Sequence, residues 1–283
     1  MKPRLVLFSL VMCASGLVAA DPKLTVTPTT AHAGDPVLVT VWGAREAPSG
    51  TADGKPLEFF AAKSGYQAVF AIPLDAKPDT IAVEINNVKM PAKVTIAAKT
   101  FPETSVIVED ELANPDKADR DRIDADNKAI IDAAIKGKGE PLFHRTFRRP
   151  GGEVTSAFGE WRTFNDGHRS QHLGLDLFAR EGSKVAAVNA GTVTLVRETF
   201  LAGNVVVIAH GGGIATTYYH LSKVLVAEGD TVELGTQVGL AGHTGRTTGP
   251  HLHLSVRVAG GFIDPAAFFK LPLAPRAQAT ARR

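Results

Sequence analysis

Near its end the chain reads Gly249-Pro250-His251-Leu252-His253-Leu254-Ser255-Val256-Arg257-Val258. From Leu252 every second residue is aliphatic, the period of a β-strand with one covered face. His251, His253, Ser255 and Arg257 then share one side, and the leucines and valines take the other. At a rise of roughly 3.3 Å per residue the two imidazoles stand about 6–7 Å apart at their backbones. One can therefore bind a metal while the other works on something bound to it. The aliphatic back needs a core behind it, so this stretch predicts a sheet, and the paired histidines make a metal-centred site the first expectation for its other face.

The surrounding region agrees. Eight of the nine histidines lie beyond residue 140: His144, His168, His172, His210, His220, His243, His251 and His253. Strand-like runs occur at 184–189, 192–197, 204–210, 214–220, 231–234 and 252–258, and Gly211-Gly212-Gly213 reads as a hairpin turn. Helix signals are almost absent. The spacing predicts a compact antiparallel β-sheet domain over 141–271.

His172-Leu173-Gly174-Leu175-Asp176 offers a nitrogen and an oxygen four residues apart. Fully extended, the two would be about 13 Å apart, too far to share an ion with bonds near ~2.0–2.2 Å. The segment must bend, and Gly174 permits it. With the His-x-His strand it supplies the two nitrogens and one carboxylate of a catalytic zinc site, leaving a fourth position for water. Hydrolysis there needs an acid–base group beyond the ligands. His220, closing Tyr218-Tyr219-His220-Leu221, is a candidate; Glu153, Glu160, Glu181 and Glu198 sit in no H-E-x-x-H motif.

The first twenty residues read as a secretory signal: Lys2 and Arg4, an apolar run over 5–18, then Ala19-Ala20 before a cut. Export to a periplasm or the exterior follows, with no later run able to span a membrane. Cys13, the only cysteine, falls within this signal; bulky Met12 beside it argues against a lipid anchor there. Without Lys2 and Arg4 the chain carries 29 basic and 29 acidic side chains. No charge excess points to nucleic acid, and no disulfide framework exists. Metal, hydroxyl, carboxylate or imidazole must carry any hard chemistry.

Residues 21–100 show strand-like runs near 37–41, 57–60, 66–72, 80–85 and 92–96 between turn residues, the pattern of a small β-sandwich. His32 there stands alone. Residues 101–140 form a linker with a helix, Asn114 capping it, Pro115 at its first position and Gly137 stopping it. Its thin stripe of Ile123, Ile130 and Ala134 predicts a solvated connecting helix. Residues 272–283 read as a tail.

One set of motifs stands in order: Ser156-Ala157-Phe158-Gly159-Glu160-Trp161-Arg162, His172 to Asp176, Gly182-Ser183-Lys184-Val185-Ala186-Ala187, Gly191-Thr192-Val193 and Tyr218 to Leu221. Gly229-Asp230-Thr231-Val232, 239–246 and 248–254 complete it. Together they resemble the lysostaphin/LytM-type zinc endopeptidases of bacterial peptidoglycan, family M23, over about 141–270. The N-terminal run is similar to immunoglobulin-like modules found ahead of bacterial cell-wall enzymes. The resemblance implies His172, Asp176 and His253 as zinc ligands, with His220 and His251 as the catalytic pair. One of that pair would act as base, and the other would orient water or stabilise the tetrahedral intermediate. It also implies peptidoglycan peptides as substrate. The competing reading is a non-catalytic module of the same fold that binds wall material or activates an amidase; such modules lack ligands, whereas all five positions are filled here. A carbohydrate-binding β protein leaves the ordered motifs unexplained.

Overall fold

A computed structural model describes residues 21–165, 167–258 and 261–275. The signal-peptide expectation for residues 1–20 lies outside the described residues, as does the tail beyond Pro275. Among the described residues no helix is long and apolar enough to cross a membrane.

The N-terminal part is two packed sheets. One runs in the order Lys23–Thr27, Pro36–Trp42, Gly65–Ala71, Phe60–Ala62; the other Thr30–His32, Ala92–Ala97, Asp79–Ile85, Gly50–Ala52, Lys55–Pro56. Val37, Val39, Val41, Ala68 and Phe70 of the first meet Ala31, Val83, Ile85, Val94 and Ile96 of the second. The strand Pro36–Trp42 reads as a continuous apolar run because both of its faces are covered. Its Leu38, with Phe60 and Val69, faces the other way and joins the core of the C-terminal domain. The expected strand at 57–60 is displaced: pairing begins only at Phe60, after a loop.

The end of the chain ties the two parts together. Gln67 Nε2 donates to Pro272 O (3.3 Å) and its Oε1 accepts from Ala274 N (2.9 Å). Leu271 and Leu273 are buried. Residues 272–275 are therefore docked on the first sheet, where the sequence had suggested the start of a loose tail.

The linker differs most from expectation. Glu103–Val106 forms a strand parallel to Trp161–Phe164, which pairs with Arg169–Gln171. A single turn, α1 (Asp110–Ala113), precedes α2 (Lys117–Ile135). The cap of α2 is Asp116, whose carboxylate accepts from Asp119 N (2.8 Å); Asn114 instead closes α1. Nor is α2 merely solvated. Ile130, Ala133 and Ala134 pack onto Val205, Val207, Ala215 and Tyr219 of the large sheet, and Thr194 Oγ1 donates to Ala133 O (3.0 Å) near the helix end.

The large sheet is antiparallel and ten-stranded. Its main path is Val154–Ser156, Leu175–Phe178, His251–Val258, Ile214–Val224, Gly203–Gly211, Gly191–Thr199, Thr231–Val232. The predicted glycine hairpin is present: Gly211 pairs with Ile214 across Gly212 and Gly213. Both have φ near +60 to +75°, the backbone of a two-residue turn that matches strand twist. Behind the sheet Leu175, Leu177, Ile208, Tyr218 and Leu221 are fully buried, and Phe147 packs edge-on against Phe268 and His210 and at a tilt against Phe143, all at 4.9–5.0 Å.

His210 belongs to this core. Its Nδ1–H donates to Ala190 O (2.7 Å), and Nε2 lies 2.8 Å from Thr216 Oγ1. Burial pushes its pKa down to about 4, against a smaller upward pull from Ala190 O. Because the folded value lies below the unfolded one, the stabilisation is whole above about pH 6.5 and lost as pH falls toward 4. The loss reaches roughly 3 kcal/mol in acid. Melting temperatures of wild type and His210→Gln should converge as pH drops from 6.5 to 4; parallel curves would exclude His210 as a source of acid lability.

Candidate functional site

Register builds the site. Leu175–Phe178 pairs antiparallel with His251–Val258 so that Asp176 lies opposite His253 and Phe178 opposite His251. On the other flank Tyr219 faces His253, which brings in its neighbour His220 at the end of that pairing. Cross-strand neighbours have Cβ atoms about 4.5–5.5 Å apart, so Asp176 and His253 meet without any special loop. His172 lies in the irregular segment before this strand. Its backbone is pinned on both sides, His172 N donating to Glu160 O and Gly159 N to His172 O, each at 2.8 Å.

Three atoms converge. His172 Nε2 is 3.0 Å from Asp176 Oδ1 and 2.8 Å from His253 Nδ1, and His253 Nδ1 is 2.7 Å from Asp176 Oδ1. The outer nitrogens decide which form each ring takes. His172 Nδ1 faces Ala157 O (2.8 Å), a pure acceptor, and must donate to it. His253 Nε2 faces Ser255 Oγ (3.2 Å), whose own proton goes to Leu173 O (2.7 Å), so this nitrogen donates as well. In the neutral rings both inner nitrogens are thus bare and point with a carboxylate oxygen at one spot. Three lone pairs at such distances repel unless a cation lies among them. The donor set, two imidazoles and one carboxylate, fits zinc.

Arg162 completes the arrangement. Its Nη2 donates to Asp176 Oδ2 (2.6 Å) and to Ser156 Oγ (2.7 Å). One carboxylate oxygen is thereby occupied, and the other is left for the metal spot. Ser156 donates in turn to Glu160, which also accepts from Thr104 of the linker strand. Burial alone would raise the Asp176 carboxyl, but the imidazoles of His172 and His253 outweigh it and hold it well below the usual carboxylate range.

Two further imidazoles flank the spot. His220 and His251 have ring centroids 5.0 Å apart, and His251 Nε2 is 3.6 Å from Asp176 Oδ1. Each commits Nδ1–H to a backbone carbonyl, His220 to Thr244 O and His251 to Gly249 O, both at 2.8 Å. Each neutral ring therefore presents Nε2 as a proton acceptor. Burial first, then the charges of His253 and His251, lower His220 to a pKa of about 3, so it is neutral at ordinary pH. His220 also has φ near +59°, a conformation that a residue with a Cβ rarely adopts.

Gly174 sits at the bend the sequence required, with a different reason behind it. It is not among the glycines with positive φ. A Cβ there would instead lie 2.5 Å from His253 Nε2 and 2.8 Å from Leu254 O. Close approach, not an unusual backbone angle, excludes a side chain.

These groups open into a groove of about 860 Å³. The segments 163–170 and 199–203 contribute Phe164, Ser170, Leu201 and Ala202 to its walls. The linker strand and α2 contribute too, through Thr104, Ile107, Asn127 and Ile131, and no pattern in the sequence flagged them. Arg162 stood in a motif without a role; its value depends on contact with Asp176, which sequence spacing does not reveal. The remaining histidines lie elsewhere: His243 is exposed beside Glu181 (3.3 Å), and His32 pairs with Asp35 (3.1 Å).

The sheet face thus gathers a His-Asp-His group that could hold a metal ion, beside two imidazoles whose Nδ1 is committed to backbone carbonyls. Residues 170–265 match the model described as Peptidase family M23. Among curated relatives, peptidoglycan DD-endopeptidase ShyA of Vibrio cholerae is 46% identical over 89 residues, 31% of this chain and 21% of that protein. DD-carboxypeptidase/endopeptidase Mpg of Neisseria meningitidis is 36% identical over 129 residues, 45% of this chain and 28% of that protein. The matched stretches thus span less than a third of those relatives. A crystal structure from Pseudomonas aeruginosa described as an M23 peptidase superposes with a TM-score of 0.65 at 26% identity, covering 84% of this chain and 94% of that one. That likeness extends well beyond the family-matched segment.

Proposed function

We propose that this chain is an exported zinc-dependent endopeptidase that hydrolyses peptide bonds of bacterial peptidoglycan, in stem or cross-link peptides. The observation that carries this reading is the meeting of three bare acceptor atoms beside two imidazoles that present Nε2 into one groove. The relatives' names, DD-endopeptidase and DD-carboxypeptidase/endopeptidase, favour a D,D-peptide link as the bond cut.

His172 Nε2, Asp176 Oδ1 and His253 Nδ1 would hold the zinc, which supplies Lewis-acid polarisation of the scissile carbonyl and acidification of water. Arg162 keeps Asp176 turned so that Oδ1 faces inward. Ala157 O and Ser255 Oγ hold the two ligand rings in the tautomer that leaves the inner nitrogens bare. His220 and His251 divide the proton work: one Nε2 takes the proton of the attacking water and returns it to the leaving amine, and the other orients that water by accepting a hydrogen bond from it. His220 can serve as base because its Nδ1–H is held by Thr244 O, which leaves Nε2 as the acceptor.

Digestion of purified cross-linked muropeptides, with mass analysis of the products, tests the reading. Cleavage should stop on chelation and return with zinc. His172→Ala, Asp176→Ala and His253→Ala should each lose tight zinc binding, because two ligands hold an open tetrahedral site poorly. Undiminished cleavage after metal removal, or full zinc in all three folded variants, would overturn it.

A further inference from the structure

Helix α2 carries one buried charge that the metal centre does not use. Asp126 is 3% exposed. Its Oδ2 accepts from Phe200 N (3.0 Å). Its Oδ1 lies 2.9 Å from Arg197 Nε without the alignment of a hydrogen bond, so that attraction is Coulombic. Arg122 Nε stands 3.9 Å from Oδ2. A carboxylate is costly to bury unless it is paired, so its place against this one turn is specific.

Phe200 opens the turn between the strands Gly191–Thr199 and Gly203–Gly211, and the residues after it hold His220. Ala202 O accepts from His220 N (3.0 Å), and Leu201 O accepts from Arg246 N (2.7 Å). Asn204 N donates to Thr244 Oγ1 (3.0 Å), and the Thr244 carbonyl accepts the Nδ1–H of His220. Backbone and ring of His220 thus both hang from this turn. Ala202 also packs into the apolar cluster beneath α2. The positive φ of His220 is the kind of conformation that persists only where its surroundings over-determine it.

We propose that Asp126 is a positioning residue for His220: α2, which lies outside the segment matched to the peptidase family, holds the 200–203 turn through Asp126 and so sets His220 Nε2 in the groove. This rests on the catalytic reading of His220 given above.

The test is a double-mutant cycle on the zinc-loaded full chain. Asp126→Ala should lower kcat roughly ten- to a hundred-fold, the scale of a catalytic group shifted by about an ångström. KM and zinc content should stay as in wild type. Asp126→Asn, which keeps an oxygen for Phe200 N, should recover most of the loss. In a His220→Ala background the same Asp126→Ala change should cost less than about twofold, because the residue it positions is gone. If Asp126→Ala does not fold, Asp126→Glu, one methylene longer, enters the same cycle with the same expectation. An undiminished penalty on top of His220→Ala, or wild-type kcat in the folded Asp126 variant, would overturn the proposal. Wild-type kcat in His220→Ala alone would remove the catalytic reading beneath it, a failure distinguishable from the other two.

Discussion

His220→Ala and His251→Ala are each expected to keep one zinc per chain and to lose turnover by about 10²–10⁴-fold, the usual contribution of a positioned acid–base group. The expectation follows from which ring atoms point where. Neither ring supplies one of the three converging atoms, and each spends Nδ1 on a backbone carbonyl. Metal affinity should therefore survive while the proton path does not. Zinc content by metal analysis and single-turnover cleavage of a cross-linked muropeptide separate the two quantities. Loss of zinc from either folded variant would show that the division between ligands and catalytic histidines is wrong.

Gly174→Val is the second large effect expected, with Gly174→Ala a smaller version of it. Even the first carbon of a side chain would press on the His253 ring and on Leu254 O. That ring cannot retreat freely, because Ser255 holds its outer nitrogen. Overpacking of this kind costs about 1–3 kcal/mol, and at about 1.4 kcal/mol per tenfold zinc should bind roughly ten- to a hundred-fold more weakly, although all three ligands remain. A strand-propensity view predicts the opposite sign, since valine favours strands. Competition titration against a zinc chelator, with the melting temperature of the metal-free protein, decides between them. Wild-type affinity in Gly174→Val would remove the close-approach argument.

Much of the architecture was legible because its signals are local. Alternation in 252–258, the triple glycine before Ile214 and the histidine-rich second half all state a two-residue period or a turn. The buried back of His251–Val258, Leu252 through Val258, lies where alternation put it. Linker and chain end were misread for a common reason. The stripe on α2 looked thin because its few apolar residues stand among many charges, whereas the face that packs is completed by one of those charges, Asp126, a residue whose burial makes sense only beside Phe200 N. The strand Glu103–Val106 has no apolar alternation to announce it; its partner, Trp161–Phe164, is more than fifty residues away. Residues 272–275 look like a tail until Gln67 is seen to bind them.

The sequence by itself determined the chemistry available: which residues can ligate, which can carry protons, and that the segment around Gly174 must bend. Those are properties of residue type and of chain reach over a few positions. Tertiary structure alone decided which nitrogen of each imidazole faces inward, that Arg162 takes one oxygen of Asp176, and that α2 holds the turn from which His220 hangs. Each of these depends on a partner brought near by strand register or helix packing, and register is set by the summed burial of whole faces rather than by the residues that do the chemistry.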